Sequence, residues 1–259
     1  MKDPVDYPLK SFRLLGVEIS AVNLSSACEV ISHWIERRIR TYVCVVPVST
    51  IVECQNDIKY LNVINSAGMA TPDGMPVVWL GKLSGHKNVS RAYGPDLMLA
   101  VSQMSQEKGY KNYFYGGTPE ACRMLEAKLM EEFPRLTVIG KRSPPFRELS
   151  RQEEETIIEE INRLKPDILW VGLGSPRQDY WMVRHRDRLE CPVMIGVGAA
   201  FDFLSGMKKQ APPWMRNAGL EWLFRLCSEP KRLWKRYLIG NSLFMYYLLK
   251  DALERTRKK

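Results

Sequence analysis

Three stretches of the chain carry side chains of a kind that does chemistry. In "ATPDGMPVVW", Asp73 stands between Pro72 and Gly74. Pro-Asp-Gly is first of all a turn signal. A carboxylate at a strand end also serves as a general base when it faces a ligand crevice. Shortly after, in "RAYGPDL", Arg91 offers a planar fork that suits either a diphosphate or an ordinary surface ion pair. The third feature is a pair of strand tips. "DILWVGLG" runs through Gly172 and Gly174 into Ser175, Pro176 and Gln178, a spacing that predicts a capping box with proline at the first helical position. "YFYGG" runs through Gly116 and Gly117 into Thr118 and Pro119. Each tip supplies flexible glycines and then a helix N-terminus, where free backbone N–H groups and the helix dipole favour phosphate. The plain alternative is a tight β-to-α turn.

Several chemistries are missing from the pattern. There is no GxGxxG fingerprint, no P-loop lysine motif, no HExxH, no DxD and no GxSxG elbow. His33, His86 and His185 are widely spaced and read as surface or partly buried side chains, the last two in polar surroundings. The six cysteines are scattered, without a CxxC pair; Cys44 and Cys191, beside apolar runs, read as small buried hydrophobes, and the compartment reads as reducing. No cofactor and no metal site is expected. Any phosphate would be neutralised by Arg, Lys and helix ends.

The elements that must position these residues alternate. Apolar runs at Tyr42 to Val48, Tyr113 to Gly117, Leu136 to Gly140, Asp167 to Gly174 and Val193 to Phe201 predict strands covered on both faces. Helical patterns lie between them. One opens with a Ser26/Glu29 capping box, one with Thr118 and Pro119, one with a Ser150/Glu153 capping box. The expected fold class is α/β: Rossmann-like, a mostly parallel sheet with helices on both faces, plus a basic helical C-terminal appendage. The division falls between a catalytic core, residues 1–206, and the appendage, residues 207–259.

The net charge of +9 sits entirely beyond residue 206, where 13 basic and 4 acidic residues accumulate. A neutral body with a basic, aromatic-rich tail points to an anionic membrane surface and away from nucleic acid. In the tail, Leu223, Phe224, Leu226, Leu233, Trp234 and Tyr237 predict one greasy helical face, with Arg225, Lys231, Arg232, Lys235 and Arg236 supplying charge. The alternatives are a helix docked on the core with a basic rim, and arginines that reach back over a phosphate. "MKDPVDYPLKSF" has no apolar leader region, and "YLIGNSLFMYYLL" is too short to span a bilayer.

The ordered blocks "TPDGMPVVW", "RAYGPDL", "YFYGG", "PPFREL", "PDILWVGLGSPRQDYW", "GVGAAFDFLSG", "APPWM" and "GLEWLFRL..EPKRLWKRYL" resemble the WecG/TagA/CpsF family of bacterial glycosyltransferases, from about Tyr42 to Phe244. The resemblance implies inverting transfer of a hexose or N-acetylhexosamine from a UDP-sugar donor to a lipid-linked saccharide acceptor on a polyprenyl diphosphate. It implies work at the cytoplasmic face of the membrane, peripherally and without a catalytic metal, in cell-surface polysaccharide synthesis. By position, Asp73 matches the proposed base and Arg91 an active-site arginine. Gln178 matches a glutamine at the nucleotide-sugar end, where it either caps the helix or turns to the donor, and Asp202 an aspartate near the nucleoside. Arg225 and Arg232 match arginines thought to stabilise the diphosphate, and a third falls at Lys235 or Arg236. Val45 and Pro47 stand where many members carry Thr and Asn, and "SPPFREL" replaces a Gly-Tyr-Phe. Both departures point to an exopolysaccharide-type subgroup. Two other readings stay open: another Rossmann-type nucleotide-sugar enzyme (epimerase or dehydrogenase), and a non-catalytic nucleotide-binding membrane scaffold. Homo-oligomer formation is open as well.

Overall fold

The computed structural model describes Tyr7 and residues 9–257; the stretch at residues 1–6 and 8, part of the segment read above for a leader, and residues 258–259 lie outside it. A β-hairpin, β1 (Ser11–Leu14) and β2 (Val17–Ser20), comes first. Then follow α1 (Leu24–Glu36), β3 (Thr41–Val46), α2 (Val48–Asn56), α3 (Ile58–Asn65), β4 (Met69–Pro72), α4 (Met75–Leu83), α5 (Gly94–Lys108), β5 (Lys111–Gly116), α6 (Pro119–Glu132), β6 (Thr137–Arg142), α7 (Arg151–Leu164), β7 (Ile168–Gly172), α8 (Arg177–His185) and β8 (Val193–Gly196). The C-terminal region is helical: α9 (Ala200–Leu204), α10 (Pro213–Asn217), α11 (Glu221–Ser228), α12 (Pro230–Trp234), a π-helical turn (Lys235–Ile239) and α13 (Gly240–Arg257).

The main sheet has the order β4-β3-β8-β7-β5-β6, with every neighbouring pair parallel. Its two central strands, β8 and β7, are apolar throughout because both faces are covered. The period-2 alternation sorts their side chains into two cores. Tyr42, Cys44, Val46, Leu169 and Val171 face the hairpin, α2, α3, α7, α8 and α13. Val43, Val45, Ile168, Trp170 and Ile195 face α1, α5, α6 and α9. The fold class expected above is therefore the observed one.

Local differences have local causes. The hairpin and β4 escape the reading because each strand has only four residues and, unlike the equally short β8, lies in no longer apolar run. The run at Val193 to Phe201 stops as a strand at Gly196, and Ala200 already begins α9, because Gly198 takes φ +52° and turns the chain. Helix α1 starts earlier than Ser26. Asn23 is its N-cap, accepting from the Ser26 backbone N–H, while the Ser26 hydroxyl accepts from the Asn23 N–H. Ser26 is thus the far partner of the capping box and not its opener. The N-cap at Thr118, followed by Pro119, and the capping box at Ser150 stand as expected. His185 is fully buried, its Nδ1 2.7 Å from the Trp181 carbonyl, its Nε2 3.0 Å from Glu154 and its ring stacked on Trp181, so it is a core histidine.

Candidate active site

The carboxylate at residue 73 is held by the ends of two strands. The Asp73 N–H donates to the Val46 carbonyl at the tip of β3. Gly74 takes φ +86°, a conformation that costs a side-chain-bearing residue, and this lets α4 begin at once behind Pro-Asp-Gly. The neighbouring loop is tied to the same strand end, since the Ala92 N–H donates to the Pro72 carbonyl and the Thr71 hydroxyl to the Ala92 carbonyl. These bonds set Arg91 beside Asp73, with Nε 3.6 Å from Oδ1. Arg91 Nη2 donates to Glu221 of α11 in a short charged bond, and its guanidinium lies 4.0 Å over the Tyr93 ring.

The environment raises the proton affinity of Asp73. Burial pushes its carboxyl up to about 6; Arg91 pulls it down, Glu221 pushes it up, and Arg225 and Arg236 pull it down. A carboxylate near 6 is ionised at neutral pH yet a better proton acceptor than a solvated aspartate. Burial acts to lower Arg91, but Asp73 and Glu221 together hold it above its ordinary range.

Asp73 sits where two chambers meet. Pro47, Arg225 and Arg236 share that junction with it. The first chamber, about 380 Å³, lies beyond the carboxyl ends of β3, β5, β7 and β8, where open α/β sheets bind ligands. Its lining carries Arg177, Lys208, Arg225, Arg232 and Arg236 against Asp73 and Asp202, five cations to two anions, which suits a polyanionic ligand. Gly117, Gly172, Gly174, Gln178 and Asp202 line it as well. Gly116 lies just behind, and there close approach decides the residue: a Cβ would stand 2.5 Å from the Gly172 backbone. Asp202 is paired with Lys208 at 3.0 Å. Arg232 donates to Glu229 at 2.5 Å.

Gln178 does not close a capping box. Helix α8 starts at Arg177, and Pro176 has no side chain to cap it. The Gln178 amide nitrogen donates to the Ser175 hydroxyl at 3.2 Å. Its carbonyl oxygen is buried without a partner on the chamber wall, an acceptor available to a ligand's N–H or O–H.

The second chamber, about 510 Å³, is apolar. Trp79, Leu80, Leu83, Trp222, Tyr237, Phe244, Met245 and Leu248 line it, with Arg91, Arg216, Glu221, Arg225 and Arg236 towards the junction. Trp79 and Leu83 are 49% and 83% exposed at its mouth, one helical turn apart on α4. The C-terminal region supplies half of this lining. It is not one helix with a single greasy face. Pro230 and the π-helical turn break the run, burying Leu233 while Leu223 and Trp234 stay partly exposed. The π turn directs Arg236 inward, where its Nε donates to the Ser49 hydroxyl at 3.1 Å. Lys235 instead lies beside the Trp234 ring. Burial, and beyond it Arg225 and Arg232 nearby, lower the Arg236 guanidinium. A cation held this way is stabilised by a bound anion.

Across residues 12–258 the chain matches the family described as Glycosyl transferase WecG/TagA/CpsF. It belongs to that family. It is therefore a glycosyltransferase, which sets aside the epimerase, dehydrogenase and scaffold readings. Among the relatives it resembles is the N-acetylglucosaminyldiphosphoundecaprenol N-acetyl-beta-D-mannosaminyltransferase of Bacillus subtilis (strain 168), 29% identical over 217 residues, 83% of this chain and 82% of the relative. Enzymes of the same name from Bacillus spizizenii (29% identical, 72% and 70% covered) and Staphylococcus aureus (strain MW2; 29%, 74% and 72%) are similar too. None of these three names mentions exopolysaccharide, so they lend the subgroup expectation no support.

For this member of the WecG/TagA/CpsF family, the structure gathers Asp73, Arg91, Arg225 and Arg236 at one junction, with Gln178, Asp202 and Arg232 further into the polar chamber. Val45 and Pro47 do line that chamber, and just beyond them Ser49, in the first turn of α2, accepts from Arg236. The residue that sequence reading missed is Glu221, though it lies within the quoted "GLEWLFRL" block. An acidic side chain isolated in so basic a tail was the available signal. Among the described residues no group of three or more His, Cys, Asp or Glu side chains is placed to hold a metal ion, and no helix is long and apolar enough to cross a membrane.

Proposed function

We propose that the chain transfers a hexose or N-acetylhexosamine from a UDP-sugar to the sugar of a polyprenyl-diphosphate-linked acceptor, with inversion, as a peripheral enzyme on the inner face of the cell membrane. The observation that carries this reading is Asp73 standing between a cationic chamber and an apolar one. The donor diphosphate belongs with the cations, and the lipid-bearing acceptor with the apolar walls. Asp73 takes the proton of the acceptor hydroxyl as that oxygen bonds to the anomeric carbon. The bond from that carbon to the UDP oxygen breaks, and Arg225, Arg232 and Arg236 stabilise the charge leaving on the diphosphate. The names of the relatives, which act on N-acetylglucosaminyldiphosphoundecaprenol, support an acceptor of this class.

Residues 1–206 would then be the catalytic core, and residues 207–259 an appendage that completes the site and meets an anionic membrane surface. Trp79 and Leu83, exposed at the chamber mouth, extend the apolar surface beyond the appendage. A panel of UDP-sugars against polyprenyl-diphosphate-sugar acceptors, read by mass spectrometry, tests the reading. One donor–acceptor pair should give a disaccharide lipid and UDP. A panel that yields UDP-sugar binding but no product with any acceptor sinks it.

A further inference from the structure

Glu221 is the acidic side chain that the C-terminal helices bring into the junction, and its partner there is Arg91. The Arg91 end group has two carboxylates within reach. It gives Nη2 to Glu221 and leaves Nε at 3.6 Å from Asp73, too far for a hydrogen bond. That Nε has no hydrogen-bond partner. The Tyr93 ring beneath the guanidinium keeps its plane in place. Among the described residues no donor is hydrogen-bonded to the Asp73 carboxylate, so its lone pairs stay open to the chambers.

We propose that Glu221 is a positioning residue that holds the Arg91 fork off Asp73, so that the base becomes competent only when the C-terminal helices are docked. This rests on the reading of Asp73 as the base. Arg91 and Glu221 are each about 15% exposed or less, and a guanidinium so buried is costly without a counter-ion. With Glu221 neutralised, the remaining carboxylate beside Arg91 is Asp73. The fork then closes on it in the two-pronged geometry that arginine favours with carboxylates. Closure occupies the lone pairs that must accept the acceptor's proton. The charged and titratable groups facing Asp73 are Arg91 and Tyr93 from its own side, and Glu221, Arg225, Arg236 and Tyr237 from the C-terminal helices. Of these, Glu221 is the one that opposes Arg91. In the intact protein it therefore helps keep the Asp73 carboxyl up.

The test is the titration of Asp73 itself in the full chain, read by NMR with aspartate labelled at the side-chain carboxyl carbon. Asp73→Asn assigns the signal. In Glu221→Gln the Asp73 midpoint should fall by about one pH unit or more, the usual effect of a close arginine. Glu221→Asp should restore part of the difference, and Arg91→Gln in the Glu221→Gln background should abolish the fall. UDP affinity, measured by calorimetry, reports folding, because Glu221 does not line the polar chamber. An unchanged Asp73 midpoint in folded Glu221→Gln overturns the inference. So does a fall that persists without Arg91. Turnover of Asp73→Asn is a separate matter: if it stays near normal, the base assignment fails whatever Glu221 does. If it is lost while the midpoint ignores Glu221, only the present inference fails.

Discussion

The proposed reaction concentrates its proton transfer in one side chain, Asp73. Asp73→Asn should abolish transfer while leaving UDP affinity largely intact, because a general base contributes about 10²- to 10⁴-fold and an amide cannot take its proton. Activity kinetics beside calorimetry checks both halves. The sign of the pH dependence follows from the same group. Its carboxyl is pushed up to about 6 by burial, so kcat/KM should be flat above that pH and fall about tenfold per unit below it. A limb near 4 instead would mean that the base is solvated or is another residue. The glycines behind the polar chamber make a second test. A Cβ at Gly116 would strike the Gly172 backbone, so Gly116→Ala should lower both the melting temperature and UDP affinity. Asp73 and Arg91 were visible as residues because their types and blocks are distinctive. The orientation of Gln178 was not, since the same side chain satisfies either role until its neighbours are placed.

Secondary-structure elements were legible where their signal was long. The apolar runs around β3, β5, β7 and β8 declare buried parallel strands, whereas the four residues of β4, which end in the Pro-Asp-Gly turn, stand in no longer apolar run. Helix α1 illustrates how a cap is misplaced by a few residues. Ser26 with Glu29 satisfies the spacing of a capping box, but the chain enters the helix three residues earlier, where Asn23 exchanges two bonds with Ser26. Asn23→Ala should therefore cost about 1 kcal/mol of stability by denaturant unfolding, the usual worth of such a cap, while Glu29→Ala costs little. The reverse ranking would restore the original placement. The tail shows the opposite failure. Its apolar spacing suggested one amphipathic helix, and Pro230 with the π-helical turn instead splits it, which frees Arg236 to turn inward.

Across the molecule, the C-terminal helices are, in the proposed reaction, part of the vessel. They bring Glu221, Trp222, Arg225, Arg236, Tyr237 and Met245 to the junction and the apolar chamber, and Phe244 is buried against the core beside α2. Cutting the chain before Leu220 should consequently lose transfer, and it should weaken both UDP affinity and flotation with anionic vesicles. Full activity on a lipid-linked acceptor after truncation would deny the helices any catalytic share.

The amino-acid order alone settled the layered α/β architecture, because hydrophobic period and helix-start signals are local. It settled the family through eight blocks in order, and the charge asymmetry through simple position along the chain. Only the tertiary structure decided how the basic tail is used. Side chains more than a hundred residues apart, Asp73 and Arg91 from one side and Glu221, Arg225 and Arg236 from the other, meet at a junction that no local spacing encodes. The reason is physical. Burial, counter-ions and the division into a cationic and an apolar chamber are properties of the space enclosed, and that space exists only once the last helices close over the strand tips.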